Sequence, residues 1–218
     1  ENYITQTEHV LALYFGLASD EKKTAERLVN MIRSDGDKIK TGFVGTPYLL
    51  HALSENGYTD VAYSLLLQEE YPSWLFSVKM GATTIWEHWD GKKEDGSFWS
   101  TDMNSFNHYA YGAVYDWIFG VSSGIQTVSD APAYRKIIFA PHPDKRLGYA
   151  DASIESRCGK VRSYWYYKGE TVYYEFEIPK NAKLDALCNI NVYCAKNDVY
   201  GPPSLGFEGF IPTTVGAS

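Results

Sequence analysis

The residues of this 218-residue chain that could do chemistry are concentrated in one stretch. Met80 to Asn107 (MGATTIWEHWDGKKEDGSFWSTDMNSFN) holds Glu87, His88, Asp90, Glu94, Asp95 and Asp102 together with Trp86, Trp89 and Trp99, three of the six Trp. Carboxylates transfer protons or bind hydroxyls, and indoles supply flat apolar walls on which sugar rings stack, so the combination points to a carbohydrate site. Some 28 residues without helical or strand period inside a compact domain also mark a functional loop. From the residues alone, Glu87 is either a general acid or base, or a solvated loop carboxylate paired with a nearby Lys. Asp90 and Asp95, each followed by Gly, read as turn residues. Trp86 and Trp89 cannot both face one sugar from an extended segment, so one of them belongs to the core.

Other constellations fail on mechanism. Gly120 to Gly124 matches G-x-S-x-G, but a nucleophile elbow needs a strand before it and a helix after it, and the pattern here is the reverse. Asp90 to Gly96 resembles a calcium loop only superficially, with Lys92 and Glu94 at the third and fifth positions and no Glu at the twelfth. No metal and no cofactor are expected. Cys158, Cys188 and Cys194 fit neither a zinc site nor a disulfide framework, and Cys188 and Cys194 read as small apolar groups on one strand face with Ile190 and Val192. His142 shows no acid or base partner in the sequence.

Composition narrows the partners. A net charge of -7 without a block of Lys or Arg argues against nucleic acid, and no apolar run approaches a membrane span. The chain opens Glu1-Asn2-Tyr3, without an initiator Met or a signal-peptide pattern, and reads as an excerpt from a longer chain whose location is left open.

The elements that must position the loop change period once. Up to about Gly124 the spacing is helical, with helices expected at 7–17, 20–33, 47–55, 60–68, 73–79 and 108–119. His9 to Ala18 is apolar nearly all round, as in a helix buried on both sides. Thr46 reads as an N-cap before Pro47, Asn56-Gly57 as the stop of that helix, and Thr59 as the cap of the next. After a linker, Ser122 to Ala133, the period becomes two. Ala152, Ile154 and Ser156, then Val161 to Tyr167, then Val172 to Ile178 form an antiparallel meander, its last two strands joined at Lys168-Gly169-Glu170. The expectation is an all-α domain over 1–124 and an all-β domain over 125–218, with an irregular tail from Gly201.

The stretches GFVGTPYLLHALSENGYTDVAY (42–63), YPSWLFSVKMGATTIWEHWDG (71–91) and SFNHYAYGAVYDWIFG (105–120) resemble the C-terminal part of the bacterial α-L-rhamnosidases of glycoside hydrolase family 78. APHPDKRLGYADASIESRCGKVRSYW (140–165) resembles the start of the β-sandwich that follows the catalytic domain in that family. The resemblance runs over roughly residues 5–180, and nothing is carried over for Cys188 to Ser218. It implies a partial (α/α)6 barrel of about six helices and a C-terminal antiparallel β-sandwich. Twelve helices need about 200 residues, against about 120 in the helical part here. It also implies inverting hydrolysis of terminal α-L-rhamnosides, with Glu87 of Thr83-Thr84-Ile85-Trp86-Glu87 as general base. His108, at the start of the last helix, resembles the family's sugar-binding His; the alternative is a helix-start histidine satisfied by backbone. Trp86 and Trp89 would line the pocket. The family's general acid matches nothing before Glu87, so it would lie upstream, in a missing N-terminal part of the same chain. The partner implied is a rhamnose-containing glycoside or polysaccharide. The 218 residues alone are expected to be inactive, with the helix over His9 to Ala18 exposed. A non-catalytic carbohydrate-binding protein and another (α/α)6 hydrolase or lyase are the alternative readings.

Overall fold

A computed structural model describes residues 3–179 and 183–186. The readings made for Cys188, Ile190, Val192, Cys194 and the tail from Gly201 lie outside them. The chain divides into two compact units, Glu1–Trp117 and Ile118–Ser218.

Among the described residues six α-helices precede the strands: α1 (Gln6–Tyr14), α2 (Glu21–Ser34), α3 (Gly42–Glu55), α4 (Thr59–Leu66), α5 (Trp74–Lys79) and α6 (Val114–Trp117). None of them is long and apolar enough to cross a membrane. A capping box starts α1: Thr5 accepts from the Glu8 N–H and Glu8 reaches back to the Thr5 N–H. The helix stops at Tyr14, earlier than its apolar run suggested, where the Leu17 N–H returns to the Ala12 carbonyl and the Gly16 N–H to Leu13. His9, Val10, Ala12 and Leu13 are buried, because α1 packs on α2 and α3. The exposure expected for this segment is confined to its end, at Tyr14, Phe15 and Leu17.

Helix α3 starts a turn before Pro47. The Thr46 hydroxyl does not cap; it bonds the Thr41 hydroxyl at 2.7 Å, while Thr7 Oγ1 donates to the Thr41 carbonyl at 2.8 Å. These bonds tie the extra turn to α1, and they outweigh the single helical N–H that Pro47 lacks. At the other end the Tyr58 N–H reaches the Leu53 carbonyl and the Gly57 N–H reaches Ser54, the stop expected at Asn56-Gly57. That turn feeds directly into α4, so Tyr58 takes the N-cap position without a side-chain bond and Thr59 is already helical. Buried Gln6 fastens α1 to the segment after α2, donating to Asp35 Oδ2 and the Lys38 carbonyl and accepting from the Lys40 N–H. Trp117, 1% exposed, donates to Ser54 Oγ of α3 at 2.9 Å and packs edge-on against Tyr63 of α4.

The last helix differs from the expected 108–119. A 3-10 turn (Ala110–Ala113) leads into α6, and a π turn (Ile118–Ser122) follows in sequence. β-branched Ile118 and Val121 and the glycines Gly112 and Gly120 are poor α-helix formers, which fits the short α segment.

In the second unit β1 (Ile125–Thr127) pairs antiparallel with β2 (Lys136–Phe139), and β2 pairs parallel with β6 (Lys183–Ala186). β3 (Tyr149–Ser156), β4 (Gly159–Lys168) and β5 (Thr171–Glu177) form the expected antiparallel meander. One apolar cluster takes Ile125, Ile137 and Phe139 from the first sheet and Val161, Ile154 and Phe176 from the second, with Phe139 stacked on Phe176 at 4.3 Å. The segment read as a linker begins buried, and its remainder, 126–133, is half-buried to exposed. Ser122, Ser123 and Gly124 are buried; Ser163 Oγ donates to the Ser123 carbonyl at 2.6 Å and Trp165 Nε1 to that of Ser122 at 2.7 Å. Three residues of β1 are too few to show a period, which is why the sequence read as punctuation only.

Gly124 combines a φ of +72° with a Cβ position 2.1 Å from Pro141 N, whereas Gly148 has a φ of +84° and open space. Gly148→Ala should cost about 1 kcal/mol from backbone strain, and Gly124→Ala about 3 kcal/mol or more. Urea denaturation followed by Trp fluorescence measures both; equal losses would contradict the close approach.

Candidate active site

The loop between α5 and the 3-10 turn is organised by its two ends. The Glu87 N–H donates to the Ser105 carbonyl at 2.9 Å and the His108 N–H to the Ile85 carbonyl at 2.7 Å, so residues 85–87 run beside 105–108. The Thr84 hydroxyl donates to the Phe106 carbonyl in the same seam. Two residues 21 apart in sequence, Glu87 and His108, are thereby brought to adjacent legs of one loop. Between them the chain makes a short antiparallel excursion, with a bridge at Lys92 and Phe98 and a turn in which Asp95 accepts from the N–H and hydroxyl of Ser97 at 2.9 and 2.6 Å. The Ser97 hydroxyl, then its backbone N–H, hold the Asp95 carboxyl below its usual range. Asp95 is a turn residue.

The two indoles part company. Trp86, 8% exposed, packs edge-on against Phe106 at 5.3 Å. Gly91 lies under this pair, where a Cβ would stand 3.1 Å from both rings, so a larger residue would push the loop apart. Trp86 is the member that belongs to packing. Half-buried Trp89 stacks on Tyr111 at 3.8 Å and meets Trp74 of α5 edge-on at 5.4 Å. Two further bonds anchor this wall to α5: Trp74 Nε1 donates to the Tyr111 carbonyl at 2.9 Å, and Ser77 Oγ to the Trp89 carbonyl at 2.8 Å. His88 stacks on Trp99 at 3.6 Å.

Glu87 is half-buried and enters no ion pair among the described residues; no Lys neutralises it. Its charge reaches Tyr111, whose phenol is pushed above the usual range by burial first, and then by Tyr71 and Glu87. Tyr71 is raised in the same direction by burial and by Asp90. Both phenols thus stay protonated donors through neutral pH. His108 precedes the 3-10 turn rather than opening an α-helix. Its ring lies parallel to Phe43 of α3 at 4.8 Å and to Tyr109 at 5.3 Å, and Nδ1 accepts from the Ala110 N–H at 3.3 Å. That bond puts the proton of a neutral ring on Nε2, leaving an N–H donor available to a ligand. Asp90 lines an open hollow of about 370 Å³ with Tyr71, Phe76, Lys93, Glu94 and Asp95. Glu87 and His108 do not line it.

Sequence reasoning missed Phe43 and Tyr111, the rings beside these two residues, and Tyr71, which acts on Tyr111. They come from the start of α3, the approach to α5 and the 3-10 turn, and no spacing rule joins them.

Residues 2–121 match the bacterial alpha-L-rhamnosidase 6 hairpin glycosidase domain, and residues 124–190 the bacterial alpha-L-rhamnosidase C-terminal domain. An alpha-L-rhamnosidase of Formosa agariphila is 41% identical over 183 residues, which is 83% of this chain and 20% of that protein. The structure of Streptomyces avermitilis alpha-L-rhamnosidase complexed with L-rhamnose superposes with a TM-score of 0.78 at 38% identity, over 84% of this chain and 18% of that one. The native enzyme from Aspergillus terreus gives a TM-score of 0.79 at 37% identity, over 84% and 21%. The chain spans about a fifth of the length of the curated relatives it matches. With the helical unit and the strands after it both matched in order, this chain belongs to the bacterial α-L-rhamnosidase six-hairpin glycosidase family.

Proposed function

We propose that this chain supplies the general base and part of the sugar pocket of an inverting α-L-rhamnosidase. The observation that carries the reading is the seam that sets an unpaired, half-buried Glu87 on the leg adjoining that of His108 and within reach of Tyr111 in the Trp89–Tyr111 wall, in a chain of this family. In an inverting mechanism one carboxylate activates water on the face of the sugar opposite the leaving group. The second, protonated carboxyl stands roughly 6.5–9.5 Å away and donates to the leaving oxygen. Glu87 takes the first role. The partner acid comes from the part of the enzyme that precedes these residues.

His108 Nε2–H donates to a hydroxyl of the rhamnose or to the attacking water, with Phe43 and Tyr109 fixing the ring plane. Trp89 offers a ring to the sugar; Trp86 holds the seam from beneath, against Phe106. Residues 1–124 then form the C-terminal half of an (α/α)6 barrel, and the strands from Ile125 onward belong to a β-sandwich whose two sheets share the Ile137–Phe139–Phe176 cluster. Exposed Phe15, Leu17 and Val44 support a barrel half whose edges meet further helices. The substrate is a glycoside or polysaccharide ending in α-L-rhamnose.

In the full-length enzyme Glu87→Gln should lower kcat by about a thousandfold or more while L-rhamnose still binds; wild-type turnover would remove Glu87 from the role. Proton NMR of the first product should show β-L-rhamnose released from an α-linked substrate. Initial release of the α anomer would replace inversion by retention. The 218-residue chain alone should not hydrolyse an aryl rhamnoside, and clear turnover would put a second acid within it.

A further inference from the structure

The outward face of the β3–β4–β5 sheet carries a tyrosine cluster separate in sequence from the Glu87 loop. Strand register places Tyr149, Tyr166 and Tyr173 in one cross-strand row, through the pairs Tyr149–Tyr166 and Tyr166–Tyr173. Tyr166 stacks on Tyr173 at 5.3 Å with planes 10° apart, and on Tyr164, two residues earlier, at 5.0 Å. Parallel rings at these separations are offset, so each leaves part of its face uncovered. Tyr149 is 63% exposed and Tyr173 36%. The inward residues of the same strands, Val161, Trp165 and Tyr174, are buried and supply the packing, so the outer row is not needed as core.

The charges beside the row are unevenly matched. Arg162, 5.0 Å from the Tyr164 centroid, is held by Asp151 through two bonds of 2.7 Å, with Glu175 at 3.9 Å. Lys160 pairs with Glu177, and Lys145 with Glu170. Lys168 has no carboxylate partner among the described residues. Its ammonium sits 5.3 Å from the centroids of both Tyr166 and Tyr173. A cation parked on two ring faces, with its carboxylate position unfilled, complements a ligand that brings a flat apolar face and a negative charge together. A uronic acid residue does both: the C–H face of the pyranose lies on a ring, and the carboxylate reaches the ammonium.

We propose that this face binds an acidic saccharide chain, with sugar rings on Tyr166 and Tyr173 and a uronate carboxylate paired with Lys168. The site acts as an anchor for the polymer and takes no part in bond cleavage.

Affinity electrophoresis of the 218-residue chain in gels containing polygalacturonate, or the same polymer after carboxyl reduction, tests this without any rhamnosidase activity. Retardation is expected with polygalacturonate and should be about tenfold weaker with the reduced polymer. Lys168→Gln should bring the acid polymer down to the level of the reduced one, Tyr166→Ala with Tyr173→Ala should abolish retardation by both, and Tyr166→Phe should retain it. Unchanged Trp fluorescence confirms that the variants fold; should the double alanine variant not fold, Lys168→Gln carries the test. No retardation of the wild-type chain, equal retardation by the two polymers, or an unaffected Lys168→Gln variant would overturn the proposal. So would a concentration-dependent dimer, seen by sedimentation, that Lys168→Gln or Tyr166→Ala dissolves, because the face would then belong to a second copy.

Discussion

Two backbone hydrogen bonds hold the candidate site together, Glu87 to Ser105 and His108 to Ile85. A loop of this length without regular structure has little to fix it, since closing it costs entropy and each exposed bond returns only about 1 kcal/mol. The seam is effective because buried groups back it. Trp86 and Phe106 pack across it, Gly91 gives them room, and the carbonyls of Trp89 and Tyr111 are taken by side chains of α5. Without those anchors Glu87 would be one mobile carboxylate among several. With them it has a fixed backbone, which the role proposed for it as general base would require.

The helices act on the site through particular contacts. α3 touches α1, α4, the 3-10 turn and α6, and its first exposed ring, Phe43, is the one stacked on His108. The extra turn of α3 ahead of Pro47 is what places that ring, so the Thr7–Thr41–Thr46 bonds set the start of the helix and, with it, the environment of His108. α5 is only six residues long, yet it contributes both side chains that hold the Trp89–Tyr111 wall. The first turn of this short helix is closed by its N-cap: Ser73 is fully buried, and its hydroxyl accepts from the Phe76 N–H.

What the sequence revealed follows the range of each signal. Period-two alternation across β3, β4 and β5 and the Asn56-Gly57 stop are local patterns, and both stand in the structure. The N-cap reading of Thr46 was local as well, but it lost to a long-range bond from Thr7 that no window can show. β1 was invisible because three residues carry no period, and the buried Ser122–Gly124 read as a linker because small polar residues look alike in turns and in tight packing. Glu87 and the Trp cluster stood out by composition and resemblance. Phe43, Tyr71 and Tyr111 did not, since an aromatic residue in a chain with 18 Tyr and 10 Phe signals core far more often than a pocket.

The surroundings of Glu87 bear on the base role proposed for it. A general acid at neutral pH needs its carboxyl raised, by burial or by a like charge, whereas a base needs to stay ionised without a cation that would blunt it. Glu87 has no ion-pair partner among the described residues, and the phenol that feels its charge, Tyr111, is pushed upward by burial first. A raised phenol is neutral at the working pH, so it adds no negative charge beside Glu87 and keeps an O–H directed at its surroundings. A phenol is neutral at neutral pH even without that shift, so burial of Tyr111 only widens the margin. What the proposed base role draws on is the lack of an ion-pair cation at Glu87 among the described residues.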